Sequence, residues 1–109
     1  MKVVLEPEAF DEIESLRAAI AIDRPRVAAS FVRALFRRLR ILRRYPEAGR
    51  IVPEFGDANL RELILGNYRV WYRVAGKTVR ILHLWDARRG TLPDRVEEPA
   101  TEYVATAVA

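Results

Sequence analysis

Residues 60–85 read LRELILGNYRVWYRVAGKTVRILHLW. Branched and aromatic side chains interleaved with charged ones mark three strands, at 60–65, 68–74 and 78–85. Gly66-Asn67 is a good two-residue hairpin turn, and a second turn around residues 75–77 completes an antiparallel meander. Pairing outward from the first turn sets Leu65 opposite Tyr68 and Leu63 opposite Val70. Taking Gly76-Lys77 as the second sets Val74 opposite Val79 and Tyr72 opposite Ile81. One face then carries Leu63, Tyr68, Val70, Tyr72, Val74, Val79, Ile81, His83 and Trp85, enough apolar area to pack against helices. The other carries Glu62, Arg69, Trp71, Arg73 and Arg80, with Ile64, Leu82 and Leu84 among them. Arginines and an aromatic gathered on a sheet face are suited to gripping phosphates and stacking a base, or to receiving a peptide.

Upstream, Val3, Val4 and Leu5 suit a short strand, and Pro7 and Glu8 open a helix expected over residues 8–22. Phe10, Ile13, Leu16 and Ile20 recur at helical spacing and define its expected buried stripe. Pro25 starts a second helix, expected over 25–45 and stopped near Pro46. Ala28, Phe31, Val32, Leu35, Leu39 and Leu42 share one side of it, whereas Arg26, Arg33, Arg37, Arg40 and Arg44 share the other. No acid occurs between residues 24 and 46, so those arginines have no partner along their own helix. Residues 47–59, with Gly49, Pro53, Gly56, Asp57 and Asn59, form an irregular connection to the meander. The expected fold class is α+β: an N-terminal strand, a two-helix hairpin, then a three-stranded antiparallel meander. It makes one domain over residues 1–90, with residues 91–109 as an acidic tail.

Charge follows the same division. Residues 1–90 carry 18 basic against 11 acidic side chains, a net of +7, and the tail carries 1 against 4, a net of −3. Of the 19 basic residues 17 are arginine, the better residue for bidentate contact with phosphate or carboxylate. A polyanion, either nucleic acid or an acidic protein segment, is the partner this body favours. The chain has no cysteine and one histidine, His83, which removes thiolate chemistry and multi-histidine metal sites; no metal and no cofactor are expected. No apolar run approaches the roughly 18 residues needed to span a bilayer, and no signal-peptide pattern opens the chain, so a cytoplasmic protein without a membrane partner is expected.

The order of elements carries particular motifs: Pro46-Glu47-Ala48-Gly49-Arg50, then Arg61-Glu62-Leu63, then Gly66-Asn67-Tyr68-Arg69-Val70-Trp71-Tyr72-Arg73-Val74. Together they resemble the RelE/ParE toxin family over residues 2 to about 90. The resemblance implies a type II toxin held inactive in a heteromeric complex with a cognate protein antitoxin, whose acidic segment would wrap the basic body. It offers two targets. RelE-like members cleave mRNA on the ribosome, and ParE-like members poison DNA gyrase.

In the ribonuclease branch the matching phosphate-stabilising positions are Arg69, Arg88 and Arg89, with Arg73 beside Arg69 on the same face. The ribose 2′-hydroxyl would be the nucleophile there, so the protein need only position RNA, assist proton transfer and neutralise charge. Other parts of that pattern are absent: the loop that should bring lysines has Arg50, Val52, Pro53 and Glu54, Asp86 stands before the final arginines, and no aromatic acid or base lies just beyond Arg89. A ParE-like assignment loses less from these departures and is the favoured branch. A non-enzymatic nucleic-acid-binding module is the alternative from a different class. Under each reading Glu62, Arg69, Trp71, Arg73, Arg80, Arg88 and Arg89 are the residues expected to meet nucleic acid or antitoxin. His83 is either an acid–base group or a histidine satisfied inside the core, and the core placement is the one the register favours.

Overall fold

A computed structural model describes residues 1–89 and the strand pair 106–107. In chain order the elements are strand β1 (Lys2–Leu5), helices α1 (Pro7–Asp23) and α2 (Pro25–Ile41), and strands β2 (Arg50–Ile51), β3 (Leu60–Leu65), β4 (Tyr68–Ala75) and β5 (Thr78–Asp86). A 3-10 turn at Ala87–Arg89 follows, and then strand β6 (Thr106–Ala107). The expected helical hairpin and meander are both present, with α2 ending four residues early in turns at 42–44. The sheet is wider than the meander alone, with order β2-β3-β4-β5-β1-β6. β1 adds parallel to β5, matching Val3 to Val79 and Leu5 to Ile81, while β2 adds to the other side of β3.

The hairpin register is the one expected from the turns. Leu65 faces Tyr68, Leu63 faces Val70, Val74 faces Val79 and Tyr72 faces Ile81. Gly66 and Gly76 open their two-residue turns with φ of 58° and 59°, a left-handed conformation that glycine adopts at little cost. The apolar sheet face packs on the helices through Leu35, Leu39 and Leu42 of the α2 segment and Ala9 and Ile13 of α1, with Phe31, Leu16 and Tyr68 closing the margins.

Two expectations about facing are corrected. Tyr72 pairs with Ile81 but Trp71 pairs with His83, so Leu82 is an extra residue and β5 carries a bulge. Beyond it the alternation is reversed: Leu84 enters the main core, and His83 and Trp85 lie beside Trp71 on the opposite face. In α1, Phe10 is 45% exposed. The buried line runs through Ala9, Ile13 and Leu16, and Phe10 stands one residue, about 100° of helical rotation, away from Ala9.

The motif at 46–50 has a structural explanation in Tyr72. Its buried hydroxyl accepts a hydrogen bond from the Gly49 N–H and donates one to the Pro46 carbonyl, each 2.8 Å long, pinning the turn that follows α2 against the sheet. Arg61 completes the latch by donating to the Gly49 carbonyl at 3.0 Å. Burial raises the Tyr72 phenol above its ordinary pKa, keeping it the neutral donor that this geometry requires.

Candidate functional site

The sheet face away from the helices gathers the arginines singled out in the sequence, but it is not an open platform. Residues 52–59 fold over it, and Val52 and Phe55 join Leu60, Trp71 and Leu82 in a second, smaller core. Trp71 is 0% exposed, with the Phe55 ring edge-on at 5.7 Å and Trp85 stacked at 6.3 Å. Of the two roles open to Trp71, stacking a base or supporting the sheet, the structure carries the second: its indole is a core side chain covered by the loop.

The charge on this face is paired within the chain. Glu62, 1% exposed, accepts from Arg50 Nε and Arg69 Nε, both at 2.5 Å, and from the Trp71 indole N–H at 3.0 Å. Three donors compensate a carboxylate that would otherwise be costly to bury. Arg69 turns its other two nitrogens to Glu54, at 2.9 and 2.8 Å, and lies 5.5 Å over the Trp71 ring. That fork holds the Glu54 carboxyl down at about 2 and pushes Arg69 above its ordinary value. Arg73 pairs with Asp57 at 2.9 Å, which lowers the Asp57 carboxyl. Arg80 pairs at 2.6 Å with Glu6, the buried residue that precedes α1.

Sequence reasoning missed Glu54, Asp57 and Glu6 as partners. The available signal was three acids placed just before a helix or inside the one loop able to reach the arginine face. Arg88, whose side chain is 60% exposed, holds Asp86 through two of its nitrogens and lies 5.9 Å over the Tyr68 ring. The Arg89 backbone closes the 3-10 turn, while the expectations for its side chain and for the rest of the tail lie outside the described residues.

A groove of about 420 Å³ opens where α1 passes the far end of β5. Leu16, Ala19, Tyr68, Leu84 and Trp85 give it apolar walls, and Asp11, Glu12 and Asp86 place carboxylates on its rim, opposite in sign to the body as a whole. Glu12 has a further role, because one of its oxygens meets both the Leu84 N–H and His83 Nδ1 at 3.2 Å. Glu8 lies 3.7 Å from His83 Nε2. These acids raise the His83 pKa, the Glu12 bond first, against the opposing effect of burial.

The folded state therefore favours the imidazolium. Its stabilising contribution is present in full below the ordinary value of 6.5 and is lost as pH rises through the raised one. Urea midpoints taken between pH 5.5 and 8 should fall more steeply for the wild-type chain than for His83→Gln; parallel profiles would show that the Glu12 contact does not favour the charged ring.

Two helices on one side of an antiparallel meander, with β1 inserted parallel beside its last strand, define a small α+β domain of the toxin type that the motifs suggested. The model of the family described as the ParE toxin of the type II toxin–antitoxin system parDE matches residues 3–90, and the chain belongs to that family. Among solved structures, a chain of the chromosomal ParDE toxin–antitoxin system from P. aeruginosa is similar, with a TM-score of 0.67 and 19% identity, covering 79% of this chain and 95% of that one. No curated protein matches. The chain is accordingly a type II toxin of the ParE-like branch, whose natural counterpart is an antitoxin.

Proposed function

We propose that the chain arrests growth by acting on DNA gyrase rather than by cutting mRNA, and that its antitoxin silences it by laying a segment in the groove between α1 and β5. The observation that carries the choice of target is the engagement of Arg69. In the ribonuclease branch the matching arginine must be free to meet the scissile phosphate, whereas here its side chain is 11% exposed and its guanidinium is held by Glu62 and Glu54. A phosphate arriving there would have to displace two carboxylates already paired in a partly desolvated site. Arg73, held by Asp57, adds to the same argument. The apolar walls and carboxylate rim of the groove suit an antitoxin segment that presents apolar side chains together with lysine or arginine.

Induced expression tests both parts in one set of cultures, with growth, mRNA integrity and plasmid supercoiling followed together. Growth arrest with DNA breaks or altered supercoiling and intact mRNA is expected, and co-expression of the protein encoded beside the toxin should restore growth. Ala19→Trp, which fills the groove from its exposed α1 wall, should remain toxic despite that co-expression. Codon-linked mRNA cleavage would overturn the choice of target, and full rescue of Ala19→Trp would remove the antitoxin from the groove.

A further inference from the structure

A row of arginines lies on α2, an element outside both sites described so far. Helix α2 exposes Arg26, Arg33 and Arg37 on one side, Arg40 shares that side, and Arg44 continues it in the turn beyond. At 100° per residue the first three fall within about 40° of one another, and at 1.5 Å per residue they span roughly 16 Å. Neither proline nor glycine interrupts residues 26–44, so the row follows an unbroken helix and the turn after it. Among the described residues Arg26, Arg33 and Arg37 have no carboxylate partner; Arg33 donates to Ser30 at 3.2 Å and to no acid. This contrasts with Arg69, Arg73 and Arg80 on the sheet, each of which is paired with an acid.

We infer that this row is a docking surface for the phosphate backbone of duplex DNA, read without regard to sequence. Successive arginines lie roughly 10 and 6 Å apart along the helix axis, and their long side chains let each guanidinium meet a separate backbone phosphate. Between Arg26 and Arg33 the row carries only the small Ala29 and Ser30, so this stretch offers no large apolar anchor of the kind that holds a protein partner. The aromatics of the helix, Phe31 and Phe36, pack inward, which removes the stacking platform that single strands use. The inference stands apart from the choice of target, since the contact requires no enzyme.

The test is fluorescence anisotropy of a labelled mixed-sequence 20-base-pair duplex titrated with the purified full chain across a series of salt concentrations. The wild-type chain should bind with affinity falling steeply with salt. Arg26→Gln/Arg33→Gln/Arg37→Gln should weaken binding by about tenfold or more at low salt and flatten the log–log salt slope by about 3, one for each phosphate that is no longer neutralised. The triple lysine variant at the same positions should bind within about threefold of wild type, since charge rather than guanidinium geometry holds the phosphates. Lys2→Gln/Arg17→Gln/Lys77→Gln removes the same charge from other solvent-accessible positions and should also stay within about threefold. Equal losses in that control and in the α2 variant would reduce the effect to net charge and overturn the proposal. An unchanged salt slope in the α2 variant would do so as well, as would an acidic peptide binding this row where the duplex does not.

Discussion

Glu62→Ala should destabilise the folded chain by about 3–5 kcal/mol, measured as the shift in urea-unfolding free energy, the range for removing one partner from a buried ionic cluster. The substitution leaves the Trp71 indole N–H without its acceptor and strips one carboxylate from Arg69, whose side chain is only 11% exposed. Glu54 still holds the far side of that guanidinium, which places the effect within the range rather than above it. Glu62→Gln keeps an acceptor oxygen at the same place and should cost roughly half as much. Arg50→Ala removes the most exposed member of the cluster, 61% accessible, and should change stability by less than about 1 kcal/mol. If Glu62→Ala shifts the free energy by less than Arg50→Ala does, the carboxylate is not what organises this face.

A second large effect is expected at Gly49, for steric reasons alone. A Cβ there would run into the Glu62 carbonyl oxygen and stand 2.7 Å from the Tyr72 hydroxyl. The carbonyl belongs to β3 and cannot swing aside, so the turn itself must retreat and give up its hydrogen bonds to Tyr72 and Arg61. Gly49→Ala should therefore cost about 2–4 kcal/mol, the combination of overpacking and broken buried hydrogen bonds. Tyr72→Phe should cost about 1–2 kcal/mol by orphaning the Gly49 N–H and the Pro46 carbonyl. The two changes act on one latch, so the double variant should be less destabilised than the sum of the singles. Additive losses would mean that the glycine and the phenol work separately.

Much of this arrangement is legible in the sequence because the meander is written in two-residue periods between two glycine-led turns. Gly66-Asn67 and Gly76-Lys77 fix the pairing of β3, β4 and β5 near the turns, and the arginine back of α2 follows from helical spacing alone. The bulge at Leu82 is not legible. Ile81, Leu82, His83, Leu84 and Trp85 are all acceptable on an apolar face, so alternation gives no sign that the phase changes among them. The covering of the arginine face escapes for a different reason: residues 52–59 look like a connection by composition, and only three-dimensional proximity reveals that Val52, Phe55, Glu54 and Asp57 each meet a partner on the sheet. Arg69 and Arg73 are correctly placed side by side by alternation, but their paired state depends on a loop whose path no local pattern encodes.

The hydrogen bond between Glu12 and the Leu84 N–H also bears on the open margin of β5. β1 ends opposite Ile81, so the later part of β5 projects past its neighbour with a backbone donor facing outward. Such a margin is a template on which another molecule of the same chain can lay a strand, the first step toward a polymer. One carboxylate reaching over from α1 occupies the donor, and its negative charge makes the position inhospitable to an incoming backbone carbonyl. Among the described residues, a single side chain of α1 thereby fills the hydrogen-bonding position that a strand added beside the end of β5 would need.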